Sequence, residues 1–117
     1  MKINDIAKVL NAEILIDFSN EDNDIIYGFA SDLMSDVLAY ANSESLLVTG
    51  LNNAQVIRTA EMLDMSTVLF VRGKMPCKEV LDLSRENSIT VLKTNYSMFQ
   101  TCGILVTNGM KGLESND

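Results

Sequence analysis

The chain has 117 residues, 47% hydrophobic and 21% charged, with one proline and six glycines, which excludes a fibrous or disordered polymer and points to one domain with one core. Sixteen acids against nine bases set the formal net charge at −7, which argues against a nucleic-acid partner, since phosphate tracking needs clustered Lys and Arg. The absence of histidine removes imidazole acid–base chemistry, Ser-His and Cys-His nucleophile pairs and most zinc sites.

In chain order, Ile3, Ile6, Ala7 and Leu10 recur at helical spacing and predict a short amphipathic helix ending near Asn11. Glu13 to Phe18 alternates and predicts a strand, Asn20 to Asp24 an acidic turn, and Ile25 to Ala30 a second strand. Leu33, Met34, Val37, Leu38 and Ala41 mark one face of a helix capped by Ser31 or Asp32. Ser45 to Thr49 is an apolar strand closed by Gly50, and Val56, Ile57, Ala60 and Leu63 are the inward face of the helix that follows. Thr67 to Val71 is a β-branched strand ending at Arg72-Gly73. Pro76 suits the first turn of a helix that faces Val80, Leu81 and Leu83 inward. Ser88 to Leu92 is the next strand. Met98, Phe99, Cys102, Leu105 and Val106 form the apolar stripe of a last helix before Gly109, and residues 114–117 read as a frayed tail. Strand–helix alternation predicts an α/β fold, a single domain with a mainly parallel sheet of βα units and right-handed crossovers.

Charge is unevenly placed. Residues 1–44 hold nine acids and two lysines, so the entire −7 belongs to them, and residues 45–117 sum to zero. Residues 1–27 therefore read as an acidic N-terminal segment beside the regular units. No apolar run follows a basic stretch at the N-terminus, and the longest uncharged run, 94–110, is too polar to span a bilayer, so the expectation is a cytoplasmic protein without a membrane partner. Cys77 and Cys102 lack further ligands for zinc or an iron–sulfur cluster and read as two free buried thiols. The stretch 20–24 has the oxygen-rich alternation of a calcium loop. Ile25 stands where such a loop needs glycine and Ser31 where it needs glutamate, so the reading is a solvated turn, with no metal and no cofactor.

Ligands of open parallel sheets bind beyond the carboxyl ends of the strands. Four polar clusters follow the predicted strands: Ser31-Asp32 with Ser35-Asp36, Thr49-Gly50 with Asn52-Asn53, Arg72-Gly73-Lys74, and Lys93-Thr94-Asn95. They are expected to converge on one rim, with Thr49, Gly50, Asn52, Asn53, Arg72, Gly73 and Thr94 as candidate ligand-binding residues. Helix caps and tight turns demand the same residue types, so both readings stand. Gly50-Leu51-Asn52 lacks the lysine of a P-loop and the further glycines of a dinucleotide fingerprint.

The last helix carries no charge. Its outer face offers Asn95, Tyr96, Gln100, Thr101, Thr107 and Asn108, and such a face is covered by the sheet or by another subunit, which points to a homodimer. The seven methionines read as core filling, with Met62, Met65, Met98 and Met110 also available as an adaptable contact surface.

Val48-Thr49-Gly50, the helix Ile57-Arg58-Thr59-Ala60-Glu61-Met62, Leu69-Phe70-Val71-Arg72-Gly73 with Pro76 behind it, and Ile89-Thr90-Val91-Leu92-Lys93-Thr94 together resemble the DRTGG domain family, over roughly residues 28–110. Ala30 to Ala39 resembles the segment preceding these motifs in freestanding members. The resemblance implies a fold similar to the N-terminal domain of bacterial HPr kinase/phosphatase. It also implies a regulatory module of bacterial metabolism or signalling without catalytic machinery. Where members place an Asp-Arg pair after the strand-end glycine, this chain has Asn52-Asn53, and Arg72 is left as the substitute anion contact.

The leading expectation is a non-catalytic, ligand-sensing module binding a small metabolite, with nucleotides included, at the strand carboxyl ends. The alternative is an interaction subunit docking on a partner enzyme through its last helix. An enzyme would need Asp32 or Asp36 as its base, and carboxylates beside serines at helix starts are caps far more often.

Overall fold

The computed structural model describes residues 1–113, so the expected fraying of 114–117 falls outside the described residues. The elements are α1 (Ile3–Val9), β1 (Glu13–Ile16), β2 (Tyr27–Ala30), α2 (Met34–Tyr40), β3 (Ser45–Thr49), α3 (Ala54–Met62), β4 (Thr67–Phe70), α4 (Lys78–Glu86), β5 (Thr90–Lys93), α5 (Met98–Thr107) and β6 (Lys111–Gly112). All the expected helices and strands form, with most ends displaced by one or two residues. Pro76 is buried ahead of Cys77, the N-cap of α4, rather than inside the first turn as expected. β6 was not expected, because two residues carry no periodicity. It forms because Lys111 N donates to Ile26 O at 2.8 Å and sets the chain beside β2.

The six strands lie in the order β1-β5-β4-β3-β2-β6, with β1 antiparallel to β5 and every other pair parallel. From β2 to β5 the chain steps strand by strand in one direction, and α2, α3 and α4 pack on one face. The return from β5 to β6 runs the opposite way. A right-handed crossover in that direction must use the other face, and α5 lies there beside α1. Two cores result. Met34, Val37, Val56, Ile57, Ala60 and Val80 meet Leu47, Val68, Phe70 and Val91 on the first face. Ile3, Ile6, Leu10 and Leu105 meet Leu46, Val48, Leu69 and Leu92 on the second. β3 and β4 are buried at every position, and their unbroken apolar and Thr/Ser runs suit strands covered on both sides.

Four helices end in one way. After α1, α3, α4 and α5 the chain turns through Asn11, Asp64, Ser88 and Gly109, all with positive φ. The next residue donates its N–H back into the helix: Ala12 to Ala7 O, Met65 to Ala60 O, Ile89 to Ser84 O, and Met110 to Leu105 O. These are Schellman closures, which satisfy the free carbonyls of a helix end. Met65, Ile89 and Met110 then point into the cores, so Met65 belongs to the packing and not to a contact surface, Met110 packs beside Gly28, and Met62 is exposed.

Residues 1–27 are built into the sheet. α1 supplies Ile3 and Ile6 to the second core, β1 forms one edge, and Thr94 Oγ1 donates to Leu10 O at 2.9 Å. The link from β1 to β2 passes the amino ends of the strands, where Phe18 N donates to Thr90 Oγ1 at 3.0 Å. Its acidic turn lies at the end of the sheet opposite the candidate rim. There the Met1 ammonium pairs with Asp24 at 2.6 Å and holds its carboxyl below the ordinary range.

Candidate functional site

The carboxyl ends of β2, β3, β4 and β5 bring the four polar clusters onto one rim, and at its centre stands a carboxylate. Asp32 leaves β2 and reaches across to the end of β3. Its Oδ1 accepts from Gly50 N at 2.7 Å and from Thr49 Oγ1 at 3.0 Å, while Thr49 Oγ1 itself accepts from Leu51 N at 3.2 Å. A charged acceptor on a backbone N–H makes this the strongest tie in the loop. Asp32 stood in the sequence as a cap or a base. In the structure the cap-like bond before α2 comes from Ser31 Oγ, which accepts from Leu33 N at 3.0 Å, and Asp32 organises the β3 turn instead.

The second carboxylate oxygen faces Arg72, whose Nη2 lies 3.6 Å from Asp32 Oδ2 and donates to Gly50 O at 3.3 Å. The guanidinium rests against the Gly50 Cα. A Cβ built there would come 2.2 Å from Nη2 and 2.7 Å from Cζ. Gly50 is needed for this close approach and not for a positive φ. Arg72 itself has φ +65°, and Gly73 follows at +72°. A left-handed conformation costs a non-glycine residue about 1–2 kcal/mol, so the surrounding bonds must impose it. They do: Arg72 N donates to Tyr96 O at 2.8 Å and Gly73 N to Thr94 O at 2.9 Å, tying the β4 turn to the β5 turn. Arg72 and Asp32 side chains remain about half exposed, at 53% and 46%, so their pairing faces water and is weak.

The remaining candidates hold the rim together. Asn52 bridges to the loop before α4: its Nδ2 donates to Met75 O at 3.2 Å and its Oδ1 accepts from Cys77 N at 2.9 Å. Asn53 is the N-cap of α3, accepting from Gln55 N at 3.0 Å. Thr94 is buried beneath the surface, with its hydroxyl spent on Leu10 O and on Tyr96 N. Lys74 is exposed beside Gly73 and has no ion-pair partner among the described residues. Among those residues no group of three or more Cys, Asp and Glu is placed to hold a metal ion. Asp32, Arg72 and Lys74 are thus charged side chains open to solvent among the rim clusters, alongside the exposed Asn53 and Asn95. Asp32 was missing from the candidate set because its partners lie 17 and 18 residues away, on a neighbouring strand.

Elsewhere the structure corrects several expectations. Cys77 is exposed and Cys102 half-buried, so neither is a core thiol, and burial pushes the Cys102 thiol up. On α5 the stripe turns about its axis relative to the expected one. Thr101 and Leu105 face inward, Thr101 completely so, while Phe99 and Val106 are 91% and 63% exposed. Thr101 was expected outside and Phe99 and Val106 inside. The apolar count on this helix exceeds what one face can bury, and that excess hid its phase. No helix among the described residues is long and apolar enough to cross a membrane.

Comparison with curated proteins found no match. Among solved structures the fold is similar to the CBS and DRTGG domains of the regulatory region of a Clostridium perfringens pyrophosphatase, complexed with its activator diadenosine tetraphosphate. The TM-score is 0.74 at 18% identity, over 98% of this chain and 51% of that one, so this chain spans about half of that region. The DRTGG domain family matches residues 5–108, taking in most of α1 and all of β1 as well as the motifs from Gly28 onward. An α/β domain with this strand order, matched across nearly its whole length, belongs to the DRTGG domain family.

Proposed function

We propose that this chain is a ligand-sensing regulatory module without chemistry of its own, and that its rim binds a small phosphate-bearing metabolite, nucleotides among them. The observation that carries this is the arrangement of Arg72. A strained backbone aims a half-exposed guanidinium at a carboxylate it holds only loosely, 3.6 Å away. A phosphate offers that guanidinium two charged acceptors, a stronger pairing than the one it has. Thr49, Gly50, Asn52, Asn53, Gly73 and Thr94 shape and hold the loops around it, and Lys74 adds a second cation. Ligand entry moves Arg72 off Asp32 and frees the Asp32-held turn to change. The likeness to a regulatory region solved with diadenosine tetraphosphate supports nucleotides as the first compounds to try.

The test is a melting series with ATP, diadenosine tetraphosphate and pyrophosphate. A ligand at 100 times its Kd adds about 2.7 kcal/mol, which raises the Tm of a domain of this size by on the order of 10 °C. Arg72→Gly suits the positive φ while deleting the guanidinium, and should abolish the shift without lowering the Tm of the free protein. Gly50→Ala displaces the guanidinium and should weaken binding through the side chain alone. If no phosphate compound moves the Tm, or if Arg72→Gly leaves the shift intact, the rim is not the site.

A second reading is favoured by the exposed apolar face of α5: the module docks through that helix, in a homodimer or on a partner enzyme. The two readings use different surfaces and are compatible.

A further inference from the structure

The two faces of the sheet are unequally covered. Three helices pack on one and two on the other, and beside α5 the strip of sheet formed by Gly28 and Ala30 of β2 is left as an open groove of about 130 Å³. Cys102, Val106 and Met110 form its other wall. Its lining is almost entirely apolar, and an engineered cavity of about 150 Å³ is enough to hold a benzene ring. The chain carries an unburied ring on the same helix: Phe99, 91% exposed, stands two turns from Val106, within about 20° of it at 100° per residue. The ring therefore shares a stripe with Val106, which forms the groove's outer edge, the ring toward the amino end of α5 and the groove beside its carboxyl end.

We infer that the occupant of this groove is Phe99 from a second copy of the chain, with the two α5 helices packed antiparallel across a two-fold axis near Gly103. This rests on the self-association proposed above and specifies its surface. An antiparallel pair centred there sets Phe99 of each copy against Val106 and the groove of the other, so one operation fills both sites, as a closed isologous interface requires. Gly103 fits the same axis. A glycine inside a helix costs stability relative to alanine, and apart from the backbone of its own helix and its two chain neighbours nothing comes within 4 Å of where its Cβ would stand, whereas a helix crossing at that point needs the clearance. Charge favours a second copy of this chain through this face. Each copy bears −7, and residues 94–110 bear none, so α5 is where two such molecules meet with the least repulsion.

Sedimentation velocity of the full chain over a wide concentration range tests the inference, with Phe99→Glu, Val106→Glu and Gly103→Ala as variants. The wild type should approach twice the chain mass. Both glutamate variants, at exposed positions, should keep the wild-type circular dichroism and lose at least tenfold in association. Gly103→Ala should raise the Tm of the dilute monomer and still weaken association, a pair of opposite signs that a merely structural role does not produce. Gly103→Cys, with Cys77 and Cys102 replaced by serine, should cross-link to a dimer under mild oxidation. A dimer that survives both glutamate variants overturns the α5 interface while leaving self-association standing. A wild type that stays monomeric throughout overturns both.

Discussion

At the scale of single residues, two polar residues on or near functional surfaces oppose folding in different ways. Arg72 holds a left-handed backbone, and the Thr101 hydroxyl is fully buried without a hydrogen-bond partner among the described residues. The first is imposed by the bonds that tie the β4 turn to the β5 turn. The second has no such account inside the chain. An unpaired buried hydroxyl costs about 1–3 kcal/mol, so Thr101→Val, nearly the same in shape, should stabilise the protein by about 1 kcal/mol and raise Tm by roughly 4 °C in a thermal melt. An unchanged or lowered Tm would mean that the hydroxyl has a partner. These details were closed to sequence reading. Thr101 looked like one more polar residue on an uncharged helix, and Asp32 like a cap. What each side chain does depends on helix phase and on a strand contact, and neither follows from composition or spacing.

At the scale of elements, much was legible, for a physical reason. β3 and β4 announce themselves as apolar and β-branched runs because both their faces are covered, and α3 shows the helical period because only one of its faces is. α5 was found but wrongly phased, since Phe99 and Val106 obey the rule for burial while serving the outside. The closes of the first and last helices were legible, at Asn11 and Gly109, whereas Asp64 and Ser88 make the same closure without having been read as helix ends. That gives a test of how much those ends cost: Ser88→Gly removes the left-handed penalty at the close of α4 and should raise stability by about 0.5–1 kcal/mol, measured by urea denaturation with an unchanged m-value. A loss of stability would show that the Ser88 side chain has a role of its own.

At the scale of the molecule, the parallel sheet and its crossovers followed from the alternation of periods, but the placement of the first strand did not. Nothing in Glu13 to Ile16 indicates that it pairs antiparallel with β5 rather than with its neighbour in sequence. That pairing makes α1 and β1 part of one cooperative unit. Ile6 is wholly buried, so Ile6→Ala should cost about 2–5 kcal/mol and leave a single denaturation transition. A separate early transition would make α1 an appendage.

The same pairing orders events in time. Glu13 meets Lys93, and Leu10 meets Thr94 across 84 residues, so the first strand has no ladder partner, and the core over the first helix is incomplete, until most of the chain exists. Contacts this distant in sequence slow folding, because a long loop must close before they repay it. During synthesis the apolar side chains Ile3, Ile6, Leu10 and Ile14 wait in water, beside the segment that carries all of the net negative charge. Like charges on waiting chains keep them apart. The acidity of residues 1–44 is thus the charge an unfinished chain carries, at a stage when no rim and no groove yet exists.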